Sequence, residues 1–155
     1  MNAAAKKARA MRDFQRSLPM ELLKAREAAM SRFRPMLRQH GLTEQQWRVI
    51  RALAASDKID ASALARKSFL LAPSLTRILQ YLETEKLVKR SAHAKDQRRS
   101  VFVLTGKGRR MYDKVGPDSE CLYAEIEDIF GRKKLDLLYG LLAEFYNALA
   151  EAEAA

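Results

Sequence analysis

Cysteine is almost absent from this chain. A single one, Cys121, in 155 residues excludes an internal disulfide framework and a cysteine-rich zinc site. Histidine is nearly as scarce, at two residues, which leaves no ordinary catalytic triad or metal cluster. Six glycines and four prolines are too few for a β-sandwich, a collagen or a low-complexity chain. No stretch of 18 apolar residues occurs, so no membrane-spanning helix is expected. Residues 1–16 carry charges but lack the apolar stretch of a secretory signal, and the expected location is the cytoplasm. The phosphate-binding glycine-lysine loop, the H-E-x-x-H pair and the G-x-S-x-G elbow are missing too. Neither an enzyme nor a bound cofactor is expected.

What is present is charge, and it is segregated. The chain has 29 Lys and Arg against 19 Asp and Glu, a net charge of +10. Residues 1–65 balance at +7, residues 66–110 at +9 and residues 111–155 at −6. A solvated surface needs no such division. The basic middle segment suits a polyanion, and the acidic last third suits a different task. With 48% hydrophobic residues the chain can also bury the core of one domain.

The apolar pattern is mostly helical. Leu18, Leu22, Ala25, Ala29, Phe33, Met36 and Leu37 share a helical spacing between Ser17 and His40, and Gly41 follows as a stop. Thr43 with Gln46 reads as a capping box, and Leu42 with Trp47 as a hydrophobic staple. The helix they start carries Trp47, Ile50, Leu53 and Ala54. A short helix follows, capped by Asp60 or Ser62, with Leu64 and Ala65 facing inward. Pro73 suits the first turn of the next helix, which lines up Leu75, Ile78, Leu79 and Leu82. Residues 87–91 and 100–104 are β-rich runs flanking a polar loop, the pattern of a hairpin. Thr105 caps a further helix, which Gly116-Pro117 should kink or interrupt and Gly131 should end. In the last helix Leu135, Leu138, Leu142, Phe145 and Leu149 alternate at spacings of three and four, a seam for internal packing or for a dimer.

Residues 43–104 therefore run helix, short helix, helix, two-stranded hairpin. A short helix and turn leading to an amphipathic helix with a small-polar and Arg face is the helix-turn-helix arrangement. Its outer face offers Pro73, Ser74, Thr76, Arg77, Gln80 and Tyr81. Short hydroxyls beside a helix N-terminus suit phosphate, and Arg77 can fork onto a guanine edge. Lys95, Arg98 and Arg99 on the hairpin tip suit a narrow minor groove, with Asp96 fixing the loop by pairing or capping. The expected partner is double-stranded DNA. A winged-helix RNA binder and a basic architectural protein are the rival readings.

The resemblance to a family rests on these residues. Leu64-Ala65, Pro73-Ser74-Leu75-Thr76-Arg77-Ile78-Leu79, Leu82-Glu83, Leu87-Val88-Lys89-Arg90, Asp96-Gln97-Arg98-Arg99 and Val103-Leu104-Thr105-Gly106-Lys107-Gly108 resemble the MarR family of bacterial winged-helix regulators. Lys86 departs from it, standing where the family usually has glycine. More narrowly, residues 17–28, 31–35 and 41–48 resemble the branch that regulates homoprotocatechuate (4-hydroxyphenylacetate) degradation operons.

The resemblance implies a mainly α fold with a small β-hairpin wing. It implies a basic arm at 1–16, a winged helix-turn-helix at 43–105, and a helical dimerisation region at 17–42 and 106–155. It further implies a homodimeric repressor on a pseudo-palindromic operator, released by a small phenolic acid. Family pockets lie between the dimer helices and the winged helix. An aromatic carboxylate there needs a cation, for which Arg16, Arg26, Arg34 and Arg48 are candidates. It needs an apolar wall, for which Met20, Leu23, Met30, Phe33 and Trp47 are candidates. The plainer readings are ion-paired or solvated arginines and a core Trp47 and Phe33. Some family members sense oxidants through cysteine. Cys121 lies among acidic neighbours, which work against a thiolate, and is expected to be buried and structural, a redox role being the alternative. His40 is expected to close its helix and His93 to be solvated in the wing.

Overall fold

The computed structural model describes residue 11, residues 13–93 and residues 96–154, the side chains of residues 93, 96–99 and 154 excepted. Most of the expected basic arm at 1–16 lies outside them. The chain divides into two compact units, Met1–Arg32 and Phe33–Ala155. The described elements are a 3-10 turn at Phe14–Arg16, then α1 (Leu18–Gln39), α2 (Glu44–Ala54), β1 (Ile59–Asp60), α3 (Ala61–Ser68) and α4 (Ala72–Thr84). They continue with β2 (Val88–His93), β3 (Asp96–Leu104), α5 (Gly106–Phe130) and α6 (Arg132–Ala154). The fold is mainly helical with a small antiparallel sheet in the order β1-β3-β2.

Local chemistry explains the starts. Thr43 Oγ1 accepts from the Gln46 amide at 3.2 Å while Gln46 Oε1 accepts from the Thr43 amide at 2.9 Å, the reciprocal capping box. Leu42 and Trp47 are both buried beside it. Of the two candidates for α3, Asp60 is the cap, accepting from the Ala63 amide at 2.9 Å. Thr105 caps α5 by accepting from the Gly108 amide at 3.0 Å.

Three of the helix stops share one device. After α1, α3 and α4 the chain turns through Gly41, Phe69 and Lys86, with φ of 71°, 50° and 59°. Each time two amides reach back to the last-turn carbonyls. Leu42 bonds Leu37 and Gly41 bonds Arg38; Leu70 bonds Ala65 and Phe69 bonds Arg66; Leu87 bonds Leu82 and Lys86 bonds Glu83. These are Schellman caps. Glycine adopts this left-handed conformation freely, whereas each of the other two residues costs roughly 1–2 kcal/mol. Lys86 is thus a strained turn residue that still closes the cap.

Two expectations are corrected. α5 is one continuous helix through Gly116-Pro117, so the interruption expected there does not occur. Val115 and Ser119 are buried on either side, and that packing offsets the roughly 3 kcal/mol cost of an interior proline. Pro35 sits inside α1 in the same way, between buried Phe33 and Met36. Cys121 is exposed, not buried. It stands two residues, about 200° of helix, beyond buried Ser119, so it lies away from the packed face.

The hairpin is longer than the β-rich runs suggest, with Val88 opposite Leu104 and Ala92 opposite Ser100. β1 adds a third strand, pairing Ile59 with Phe102 and Asp60 with Val101. The core joins Leu37, Ile50, Leu53, Leu64, Leu75 and Leu82, with Val101 and Phe102 from the sheet. On α6 the seam divides: Leu135 is buried, while Leu138, Leu142, Phe145 and Leu149 are exposed. No helix among the described residues is long and apolar enough to cross a membrane.

Candidate nucleic-acid interface

α4 buries Leu75, Ile78, Leu79 and Leu82 and turns its other face outward. On that face Pro73, Thr76, Arg77, Gln80 and Tyr81 are exposed, and Ser74 is half-buried. The helical period brings them to one surface because the four apolar residues hold the opposite stripe. Thr76 Oγ1 donates to the Ala72 carbonyl at 2.9 Å, which fixes its rotamer. The N-cap of α4 is Leu71, and it makes no side-chain cap hydrogen bond. The amides of the first turn therefore carry the positive end of the helix with no side chain closing it.

The wing is locked to the end of α4. The Thr105 amide donates to the Leu87 carbonyl at 3.0 Å, and Thr105 Oγ1 to the Lys86 carbonyl at 2.6 Å. Lys107 Nζ donates to the Glu85 carbonyl at 2.7 Å. Gly108 packs so tightly that a Cβ there would stand 2.0 Å from the Leu87 carbonyl oxygen. At the wing base Arg90 donates to Ser100 Oγ at 2.7 Å and lies 6.0 Å from the Phe102 ring centre. A groove of about 340 Å³ separates this base from α4, lined by Asp60, Thr76, Gln80, Glu83 and Arg90 among others. Lys95 lies outside the described residues, as do the side chains of His93, Asp96, Arg98 and Arg99; the backbone of Asp96, Arg98 and Arg99 belongs to β3.

The candidate effector residues fall in both units. In the first, Arg16 closes the 3-10 turn, and Met20, Leu23, Arg26 and Met30 are on α1. Arg26 pairs with Glu27 at 2.9 Å, and Leu23 is exposed. In the second, Phe33 and Trp47 are core residues. Phe33 lies 4.9 Å from the ring of Tyr123, and Trp47 stacks on Tyr112 at 5.7 Å. Arg34 Nε bonds Glu44 at 2.9 Å. Arg48 lies 3.7 Å from the other Glu44 oxygen and donates to the Ser68 carbonyl at 3.1 Å. Both cations therefore face a carboxylate already.

Sequence reasoning passes over Arg51 and Tyr123. Arg51 Nη1 donates to the Tyr123 hydroxyl at 3.2 Å, one helical turn from Trp47 and beside the ring that Phe33 touches. A guanidinium set on a phenol among aromatic rings has the parts that hold an aromatic acid. The four-residue spacing from Trp47 to Arg51 is the signal that could have found it. His40 Nε2 lies 2.7 Å from Asp118 Oδ2, so the end of α1 is tied to α5.

Known proteins share this fold. Residues 40–99 match the MarR family. The chain is 44% identical over 128 residues to the HTH-type transcriptional regulator FarR of Neisseria gonorrhoeae, spanning 83% of this chain and 88% of that one. It is 45% identical over 129 residues to the homoprotocatechuate degradative operon repressor of Escherichia coli, spanning 83% and 87%. A crystal structure of NadR in complex with 4-hydroxyphenylacetate superposes with a TM-score of 0.77 at 41% identity, covering 84% of this chain and 96% of that one. With relatives of 44–45% identity matched over 83% of its length, the chain belongs to the MarR family of winged helix-turn-helix transcriptional regulators.

Proposed function

We propose that this chain is a homodimeric repressor that binds a pseudo-palindromic operator, controls an operon for aromatic-compound breakdown, and leaves the DNA when a phenolic acid binds. The observation that carries the reading is the exposed Thr76-Arg77-Gln80-Tyr81 face of α4 beside a basic wing, in a chain 45% identical to a repressor of homoprotocatechuate degradation. Residues 43–105 serve DNA binding, and residues 17–42 and 106–155 serve dimerisation. The exposed Leu138, Leu142, Phe145 and Leu149 of α6 support the second role, since a monomer gains nothing by leaving such a stripe in water. Two recognition helices related by a two-fold axis meet successive major grooves about 34 Å apart. Such a regulator works where the operator is, in the cytoplasm.

The effector reading draws on NadR, which was crystallised with 4-hydroxyphenylacetate. In this chain Arg51 and the Tyr123 hydroxyl supply the polar contacts, and Trp47 and Phe33 the apolar wall. A ligand releases DNA only by binding one dimer geometry better than the other. Footprinting on the DNA upstream of the protein's own gene, repeated with hydroxyphenylacetates and hydroxybenzoates, tests both halves. A protected palindrome that opens with one acid is the expected result. Binding to structured RNA with no protected DNA favours the RNA-binding rival.

A further inference from the structure

Leu71 breaks two rules at once. It is 78% exposed, the most exposed leucine among the described residues. It is also the N-cap of the recognition helix, a position that favours Ser, Thr, Asp or Asn. The chain observes that preference elsewhere, with Thr43, Asp60 and Thr105 capping α2, α3 and α5. Leu71 thus neither closes its helix nor fills the core. A local rule broken at one site, and kept at its counterparts, points to function there. Neighbouring Phe69 differs, because its ring meets Tyr146 edge-on at 5.8 Å.

The surroundings name the occupant. Arg66 before Leu71 and Arg77 after it are exposed, and the first turn of α4 holds no acidic residue. That setting suits phosphates on either side and disfavours an apolar protein surface. The N-terminal residues of a recognition helix meet base edges in the major groove, where the apolar group on offer is the thymine 5-methyl. We propose that Leu71 reads sequence by packing on the 5-methyl group of one thymine in each half-site. The proposal rests on the DNA-binding reading above.

The test is a deoxyuridine scan. The footprinted operator is resynthesised with deoxyuridine replacing one thymidine at a time, which removes the methyl and keeps the base pair. Full-length wild type should lose about four-fold affinity at one position per half-site, the worth of one buried methyl, and about fifteen-fold with both replaced. Leu71→Ala should bind the thymine and uracil operators equally. Leu71→Asn supplies the missing cap, so it should melt higher than wild type and still be blind to the methyl. If no position responds, or Leu71→Ala and wild type respond alike, the proposal is overturned while the DNA-binding reading stands. If footprinting protects no DNA, both fall together.

Discussion

Arg51 reaches from α2 to α5 and donates to the Tyr123 hydroxyl at 3.2 Å. Residues 72 apart in sequence thereby share one polar contact among aromatic rings. Arg51→Ala should weaken binding of 4-hydroxyphenylacetate by about ten- to a hundred-fold, as expected on removing a charged hydrogen bond. Tyr123→Phe should cost less. Trp47 is the only tryptophan and is buried, so its fluorescence can follow the titration. Retention of binding in Arg51→Ala, with loss in Arg34→Ala or Arg48→Ala, would move the anchor to the Glu44 side.

Arg77 and Arg98 should fail differently. Arg77 is exposed on the recognition face, so Arg77→Ala should lose about 1–3 kcal/mol of discrimination against altered operators. Arg98 lies on the wing strand, and Arg98→Ala should weaken all sequences alike. Its plot of log affinity against log salt should flatten by about one for each phosphate that the variant leaves unneutralised. Wild-type salt titrations in both variants would reject the winged-helix interface.

Truncation after Gly131 removes α6 and its apolar stripe. The shortened chain should sediment as a monomer and lose tight operator binding, because a monomer grips only one half-site. A dimer in sedimentation velocity would place the interface elsewhere.

Two substitutions at the wing root should move stability in opposite directions. Gly108→Ala puts a Cβ 2.0 Å from the Leu87 carbonyl oxygen, a backbone atom that cannot swing away. The wing must shift, at a cost of about 3 kcal/mol in urea unfolding at matched protein concentration.

Lys86→Gly relaxes a residue held at φ 59°, and should gain about 1 kcal/mol in the same assay. An unchanged midpoint would mean that the unfolded-state entropy of glycine cancels the relief.

Some of this is readable along the chain because its causes are local. Thr43 and Gln46 are three residues apart, and that spacing alone makes a capping box. The stripe of Leu75, Ile78, Leu79 and Leu82 follows from one helical period, and so does the outward face of Thr76, Arg77, Gln80 and Tyr81. The MarR motifs are likewise runs of neighbouring residues.

Other features depend on distant partners. β1 is two residues long and exists only because Ile59 and Asp60 meet Phe102 and Val101. Cys121 is expected inside from its neighbours and lies outside, because packing turns Ser119 inward. The four-residue spacing of Glu44 and Arg48 is local, but nothing in the order of residues says that Glu44 also takes Arg34. Helix period, caps and charge placement are short-range, so the sequence by itself determined the winged-helix order and its basic face. Which arginine keeps an aromatic partner, which glycine cannot carry a Cβ, and which leucine is left in water are long-range outcomes. Only the tertiary structure decided them, since each depends on where another element comes to rest.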